Sequence, residues 1–443
     1  MKTFLLLLCT LPAFLSAQNE FLTLEKAWEI ALRENPSEEI ALARLEQAEA
    51  RYRQARSRYQ PQVGATASGS RVEYSATDIQ RFPPGFSDSA DLYDAGLQAS
   101  WLIWDSGVRK NTIESLRLQR DATDAARMDS REELLAQVGN AFTAAQLARA
   151  NLAISEADVE FQNRQLENSI RKEKAGLDSR TDRLNFEIRK LGAENTAVEQ
   201  RANFDSAMFA LGALLGQPPE NELPPPVKLE PENNNLPKEI PDVDELWKQA
   251  KETLPALNQA ALQVEAADAN IKAAKGQYGP ELALFGNISA DREEDPSFSG
   301  DDIGNTVGVQ ISWDLWTGNA RKQQVNEADA QLRENIAAAR QVQLQAISDI
   351  QQSHSDYLAS ARSEAISAKT FELSRENRDL VEASYQAGRE TLLRLNEAQR
   401  DFNKAGSRYV TSLLQRQLAW IRLQKSTGTL RLRVAAEEEN PIK

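Results

Sequence analysis

The chain has 443 residues, 41% of them apolar and 27% charged, with a formal net charge of -14. That acidic balance argues against a nucleic-acid partner, which needs a basic face, and no interior run reaches the roughly 18 to 20 apolar residues of a membrane helix. One cysteine, Cys9, and one histidine, His354, leave no disulfide framework and no cysteine or histidine metal cluster.

At the start, Lys2 precedes an apolar run from Phe4 to Leu8 that continues to Leu15, Ser16 and Ala17. This reads as a secretory signal peptide over residues 1–17, cut before Gln18. Cys9 lies inside it, with Leu8 where a lipoprotein signal would place a small residue, so Cys9 is expected to leave with the leader.

Leu24 to Arg33 has the spacing of a short amphipathic helix, and Asn35-Pro36-Ser37 ends it and starts another. The residue before a proline is pushed out of the helical region, whereas proline itself fits a first helical turn. Ser37 to Arg58 is then rich in Ala, Glu, Arg and Leu, strong helix formers, until Tyr59 to Pro61 breaks it.

The period next changes from helical to two. Tyr93, Ala95, Leu97, Ala99, Trp101 and Ile103 alternate with Asp94, Gly96, Gln98 and Ser100, and Val307, Val309, Ile311, Trp313 and Leu315 alternate with Gly308, Gln310, Ser312 and Asp314. Val63 to Tyr74 and Leu282 to Ala290 are weaker partners, giving two hairpins and four strands. Strands of about ten residues can cross a bilayer when tilted. Trp101, Trp104, Trp313 and Trp316, with Tyr93, form the expected interfacial aromatic belt.

From Ser106 to about Lys174, and from Gly318 to about Gln386, no proline and no turn cluster intervenes. Each stretch predicts one helix of nearly 70 residues, roughly 100 Å long. Gly176 and Gly388 end them, and antiparallel returns run to Gly216 and Gly428. Val138, Ala145, Leu152, Val159 and Leu166, with Leu135 and Phe142 beside them, predict a coiled-coil seam.

The whole series occurs twice. Trp28, Pro36, Tyr59 and Pro61 recur at one displacement as Trp247, Pro255, Tyr278 and Pro280. A slightly shorter displacement pairs Trp101, Trp104, Arg109 and Lys110 with Trp313, Trp316, Arg321 and Lys322, and Gly176 and Gly216 with Gly388 and Gly428. The period is too long for a solenoid and indicates a duplicated half-structure. The expected organisation is a first repeat at 18–216, with its hairpin at 62–104 and helical pair at 106–216, and a second at 242–434, with its hairpin at 281–316 and helical pair at 318–434. A Pro-rich linker at 217–241 joins them, and a polar tail occupies 435–443.

Four strands cannot close a barrel, and open sheet edges are not tolerated in lipid. Two copies would give a barrel of about eight strands filled by its own side chains, whereas three would give about twelve strands around a water-filled lumen.

The order of elements, the Asn35-Pro36 break, the Tyr-x-Pro entries to the strands and the two glycine tips resemble the TolC family of outer-membrane efflux proteins over essentially the whole mature chain. The resemblance implies a mainly α fold with a small β part: a homotrimeric outer-membrane β-barrel continued by a long α-helical barrel across the periplasm. It implies a channel for small molecules or proteins, serving efflux pumps or type I secretion and gated at its periplasmic tips. The implied partners are outer-membrane lipid, a periplasmic adaptor and a proton-driven or ATP-driven inner-membrane pump, with no cofactor. Gly176, Leu177, Thr181 and Asp182 match the family's first tip, and Tyr385, Gly388 and Thr391 its second, where this Tyr and Asp belong to a hydrogen-bonded latch. The family's latch arginine position holds Glu390, with Arg389 one residue early, so the latch is expected to be rewired or absent. Arg394 and Glu397 stand where well-known members carry two acidic residues, a pair that would not select cations as a doubly acidic ring does.

The remaining features carry bland readings. Asp291, Glu293, Glu294, Asp295, Asp301 and Asp302 read as solvated charge in the second hairpin's loop, and His354 as a packed seam residue. Arg109-Lys110 and Arg321-Lys322 read as snorkelling or solvated helix shoulders. No nucleophile and base pair can be assembled, so an enzyme is not expected. The alternative to a channel is a periplasmic coiled-coil scaffold or adhesin without a pore.

Overall fold

In the computed structural model, residues 22–75, 77, 88–176, 179–217, 236–293 and 295–432 are described. The expected leader, Leu177, Glu294, most of the expected linker and the expected tail lie outside them. Among the described residues the elements are α1 (Leu24–Glu34), α2 (Pro36–Ser57), β1 (Gln62–Glu73), β2 (Ser89–Trp104), α3 (Val108–Lys174), α4 (Arg180–Leu214), α5 (Val243–Thr253), α6 (Pro255–Gly276), β3 (Glu281–Glu293), β4 (Ile303–Ser312), α7 (Ala320–Gln386) and α8 (Leu392–Ser426), with one 3-10 turn at Gly300–Asp302. The series of two short helices, two strands, a long helix and a returning helix therefore runs twice. The chain divides into two compact units, one of residues up to Glu39, Ser130–Leu254 and Ala346 onward, the other of Ile40–Asp129 and Pro255–Gln345.

The first unit is helical. Its main core gathers Trp28 and Ala31 from α1, Leu135, Val138, Phe142, Ala145 and Leu152 from α3, Phe204, Met208 and Leu211 from α4, and Ile421 and Leu430 from the far end of the chain. Trp28 is fully buried, and its indole Nε1 donates to the Leu135 carbonyl at 2.8 Å, so the buried N–H has its partner. Asn35 explains its own place before Pro36: its side-chain oxygen accepts from Ser37 N at 2.9 Å, while its amide nitrogen donates to the Leu214 carbonyl at 2.7 Å. One side chain thus caps α2 and fastens it to the end of α4.

The seam departs from its predicted line. Val138, Ala145 and Leu152 are buried, but Val159 and Leu166 are only half-buried, and the buried positions beyond Leu152 are Ser155, Phe161, Gln162, Gln165 and Ser169. The reason is a second partner. Up to Leu152, α3 packs into the core shared with α1, α4 and Ile421 of α8; beyond it, Phe161 joins Val381 of α7 and Leu395 and Ala398 of α8. Gln399 Nε2 there donates to Asp158 at 3.0 Å. A single heptad line anticipates one neighbour only.

Gly216 and Gly428 act alike at the two helix returns. Both have positive φ, 74° and 68°. A Cβ on Gly216 would stand 2.3 Å from the Glu34 carbonyl oxygen, and one on Gly428 2.7 Å from Leu254 Cα. Gly176, with φ of 73°, meets nothing within 4 Å. Gly216→Ala and Gly428→Ala are therefore expected to destabilise by roughly 2–4 kcal/mol, adding a clash to the conformational cost, against about 1 kcal/mol for Gly176→Ala. Thermal unfolding followed by far-UV circular dichroism gives that order, and equal shifts for all three would refute it.

The second unit holds the sheet. The strand order is β1-β2-β3-β4, all antiparallel, so the two predicted hairpins join through β2 and β3 into one sheet. A bulge between Leu102 and Trp104 breaks the alternation predicted to run on to Ile103. β4 stops at Ser312, short of Leu315.

Candidate functional site

Residues two apart on a strand share a face, and so do directly opposed residues on neighbouring strands. Applied to the observed register, this rule sorts the sheet. One face carries Val63, Ala65, Ala67 and Gly69, then Tyr93, Ala95, Leu97, Ala99 and Trp101, then Leu282, Leu284, Gly286, Ile288 and Ala290, then Ile303, Val307, Val309 and Ile311, with Asn305 the polar exception in this span; at the loop ends of the strands the same face passes to Arg71, Asp91 and Arg292. The other carries Gly64, Thr66 and Ser68, then Asp94, Gly96, Gln98 and Ser100, then Asn287, Ser289 and Asp291, then Gly304, Thr306, Gly308 and Gln310, with Phe285 laid over Gly308. The apolar face is open: Leu97 is 55% exposed, Ile311 72% and Val307 78%. Among the described residues β1 pairs only with β2 and β4 only with β3, so each has an unpaired edge. An exposed apolar face this broad is not stable in water.

The aromatic residues sit at two levels. Tyr93 precedes Trp101 by eight positions, roughly 27 Å along the strand, and its ring covers Gly69. Trp101 Nε1 donates to the Tyr59 carbonyl at 2.8 Å, and Trp313 Nε1 to the Tyr278 carbonyl at 2.9 Å. These bonds account for the recurrence of Tyr-x-Pro with Trp, because each tryptophan pins the entry to one strand against the exit from the next. At each junction the later tryptophan is the more exposed, Trp104 at 50% against 41% for Trp101 and Trp316 at 84% against 56% for Trp313.

The arginines beneath them correct the expected reading. Arg109 is buried: its Nε donates to Asp105 at 3.0 Å, Nη1 to the Arg58 carbonyl at 2.9 Å and Nη2 to the Ile103 carbonyl at 3.0 Å, and the guanidinium lies 4.6 Å from the Tyr59 ring centroid. It gathers carbonyls left over where helix and strand end, which a snorkelling side chain does not. Arg321 repeats this at half-burial, with the Gln277 and Asp314 carbonyls, the Thr317 hydroxyl and the Tyr278 ring as partners.

In the second hairpin's loop, Arg292 donates to Asp302 at 3.0 Å and pairs with Asp295 at 3.7 Å. The Ser299 backbone N–H and hydroxyl, with Arg292, hold the Asp302 carboxyl below its ordinary range. The acidic loop is thus organised about one arginine rather than merely solvated. His354 is half-buried on α7 beside buried Ser353.

The two tips belong to the first unit. Gly176 and Gly388 both turn with positive φ, 73° and 71°. At the second tip Arg389 N reaches back to the Ser384 carbonyl at 2.9 Å, satisfying a carbonyl the helix end leaves open. Asp182 closes a capping box with Ser179: its carboxylate accepts from the Ser179 hydroxyl at 2.7 Å, and Asp182 N donates back at 3.1 Å. Ser179, missed in the sequence reading, was legible as the Ser-x-x-Asp start of a helix. Thr391 caps α8, its hydroxyl accepting from Arg394 N at 3.3 Å, and Arg394 pairs with Glu397 at 3.6 Å along the exposed helix face. Thr181 and Glu390 are exposed. Tyr385 packs against Phe161, Val381, Leu395 and Ala398, with Lys172 Nζ 4.9 Å from its ring centroid. Arg183 bridges Glu173 at 2.9 Å across the first tip.

The model of the family described as outer membrane efflux protein matches residues 27–217 and 246–429, most of the chain. The chain belongs to this family. Protein CyaE of Bordetella pertussis is 24% identical over 413 residues, covering 92% of this chain and 84% of that one. Outer membrane protein TolC of Escherichia coli is 24% identical over 427 residues, covering 92% and 82%. The crystal structure of the Campylobacter jejuni CmeC outer membrane channel superposes with a TM-score of 0.80 at 15% identity, covering 94% of this chain and 89% of that one, and so shares the fold. Outer membrane efflux proteins span the outer membrane, extend into the periplasm and act as efflux channels rather than enzymes. In this member of the family, the two sheet faces have the polarity that lipid on one side and water on the other require.

Proposed function

We propose that three copies of this chain close a barrel of about twelve strands, apolar face outward, and that the long helices continue the duct toward a periplasmic gate at the two tips. The observation that carries this reading is the sorted sheet, with one apolar face, one polar face and two unpaired edges in four strands. Backbone groups at those edges need partners in lipid, and copies of the same sheet supply them. A pore-free scaffold or adhesin would leave the apolar face without a use.

On this reading residues 1–17 are the leader, 18–216 and 242–434 are the two repeats joined by 217–241, and 435–443 are a tail. The gate region comprises Gly176, Leu177, Thr181, Asp182, Tyr385, Gly388, Glu390, Thr391, Arg394 and Glu397. Tyr93 marks one membrane interface, and Trp101, Trp104, Trp313 and Trp316 the other. A periplasmic adaptor and an inner-membrane pump dock from below, and the cargo is small molecules or proteins that the pump selects. Membership of the efflux family supports these partners. Heat-modifiable trimers in outer-membrane fractions that conduct as single channels in planar bilayers are the expected result. A monomer that stays in water and never inserts would refute the proposal.

A further inference from the structure

We infer that Lys172 is a positioning residue for the gate, tying the second tip to the first within each chain. The inference rests on the gate reading above. Its own support is local. Lys172 lies in the last turn of α3 and Tyr385 in the last turn of α7, and the ammonium sits 4.9 Å from the ring centroid. Tyr385 is held in place by buried Phe161, Val381, Leu395 and Ala398. About two turns back along α3, Gln165 Nε2 donates to Glu382 of α7 at 3.3 Å.

Electrostatics favour the same arrangement. A helix C-terminus carries partial negative charge and attracts a cation. The last turn of α3 has Arg171, Lys172 and Lys174, whereas the last turn of α7 has no basic residue. Lys172 lies in a helix end that favours a cation and presents that cation to the Tyr385 ring, an attraction of cation–π type. Asp182 with Ser179, Arg183 with Glu173 and Glu187, and Arg394 with Glu397 each pair within their own helical pair. Lys172 instead reaches across from one helical pair to the other. A gate that opens by parting the second tip from the first must break this contact, so its strength sets part of the closed population.

The test uses the full-length chain, purified as the assembled protein and placed in planar lipid bilayers. Lys172→Gln is expected to raise the open fraction at least about twofold, the effect of removing one exposed cation–π contact from a two-state equilibrium. Lys172→Arg keeps a cation over the ring and should restore the wild-type open fraction, which a loss of mere packing would not predict. Tyr385→Leu keeps an apolar side chain against Phe161 and Leu395 but removes the ring, so adding Lys172→Gln to it should raise the open fraction no further. Wild-type open fraction in Lys172→Gln, or an undiminished effect of Lys172→Gln when Tyr385 is already Leu, would overturn the tie while leaving the channel standing. Absence of conductance in every form, wild type included, would overturn the channel reading and the tie with it.

Discussion

Leu97→Arg is expected to block stable insertion, whereas Gln98→Arg, one residue further along the same strand, is expected to be accepted. Leu97 lies mid-strand on the apolar face opposite Ala65 and Ile288; Gln98 lies on the polar face opposite Gly64 and Asn287. An arginine facing lipid at the bilayer midplane costs about 2–4 kcal/mol per chain, while one facing water in a lumen changes selectivity and leaves stability near its starting value. Val309→Arg and Gln310→Arg repeat the contrast on β4, because Val309 opposes Leu284 and Gln310 opposes Ala283. The amount of folded protein in outer-membrane fractions decides the matter, with the midpoint of urea unfolding in lipid vesicles as a second readout. Equal losses at neighbouring positions would mean that the sheet does not face lipid on one side and water on the other.

The second large effect is expected at Arg109. Arg109→Met leaves Asp105 buried without its guanidinium and strips donors from the Arg58, Leu102 and Ile103 carbonyls. Breaking a buried pair by removing one partner costs about 3–5 kcal/mol. Arg321→Met should cost less, about 1–2 kcal/mol, because Thr317 stands where Asp105 does and no carboxylate is stranded. Tryptophan fluorescence during denaturant unfolding follows both variants, since Trp101 and Trp313 sit at the two junctions. The double variant Asp105→Leu, Arg109→Met should regain part of the loss, because the uncompensated charge is gone. A larger loss for Arg321→Met than for Arg109→Met would refute this account.

The sequence carried the fold where one local signal dominates. The change of period from helical to two located the strands, Asn35-Pro36 located a helix break, and the recurring glycines located the returns. Features that depend on a second partner were hidden. The pairing of β2 with β3 brings together segments far apart in the chain, and alternation within each strand does not say which strand is next to it. The seam turned to new residues beyond Leu152 because α7 and α8 pack against α3 there as well. Arg109 looked like a surface charge, since a basic pair near a tryptophan does not reveal that backbone carbonyls converge on it. The end of β4 at Ser312 was missed for a similar reason: the indole of Trp313 is drawn to the Tyr278 carbonyl, and the Asp314 carbonyl to Arg321. At the tips, residue identity was legible and its use was not. Asp182 is occupied by its own helix start, and Lys172, which a motif reading passes over, stands against the Tyr385 ring.

The core around Trp28 bears on how the protein is made. Its members run from Leu22 at one end of the described chain to Ile421 and Leu430 at the other. Secretion delivers the N-terminal residues first, so Trp28 and its neighbours lack their final packing until the segment holding Ile421 and Leu430 has followed. A chain cut short even slightly before Leu430 cannot complete this core, although both sets of strands are already present. Packing of the last helix is thereby a condition for completing the hydrophobic core, and a chain truncated before Ile421 is expected to be cleaved by protease faster than the full chain.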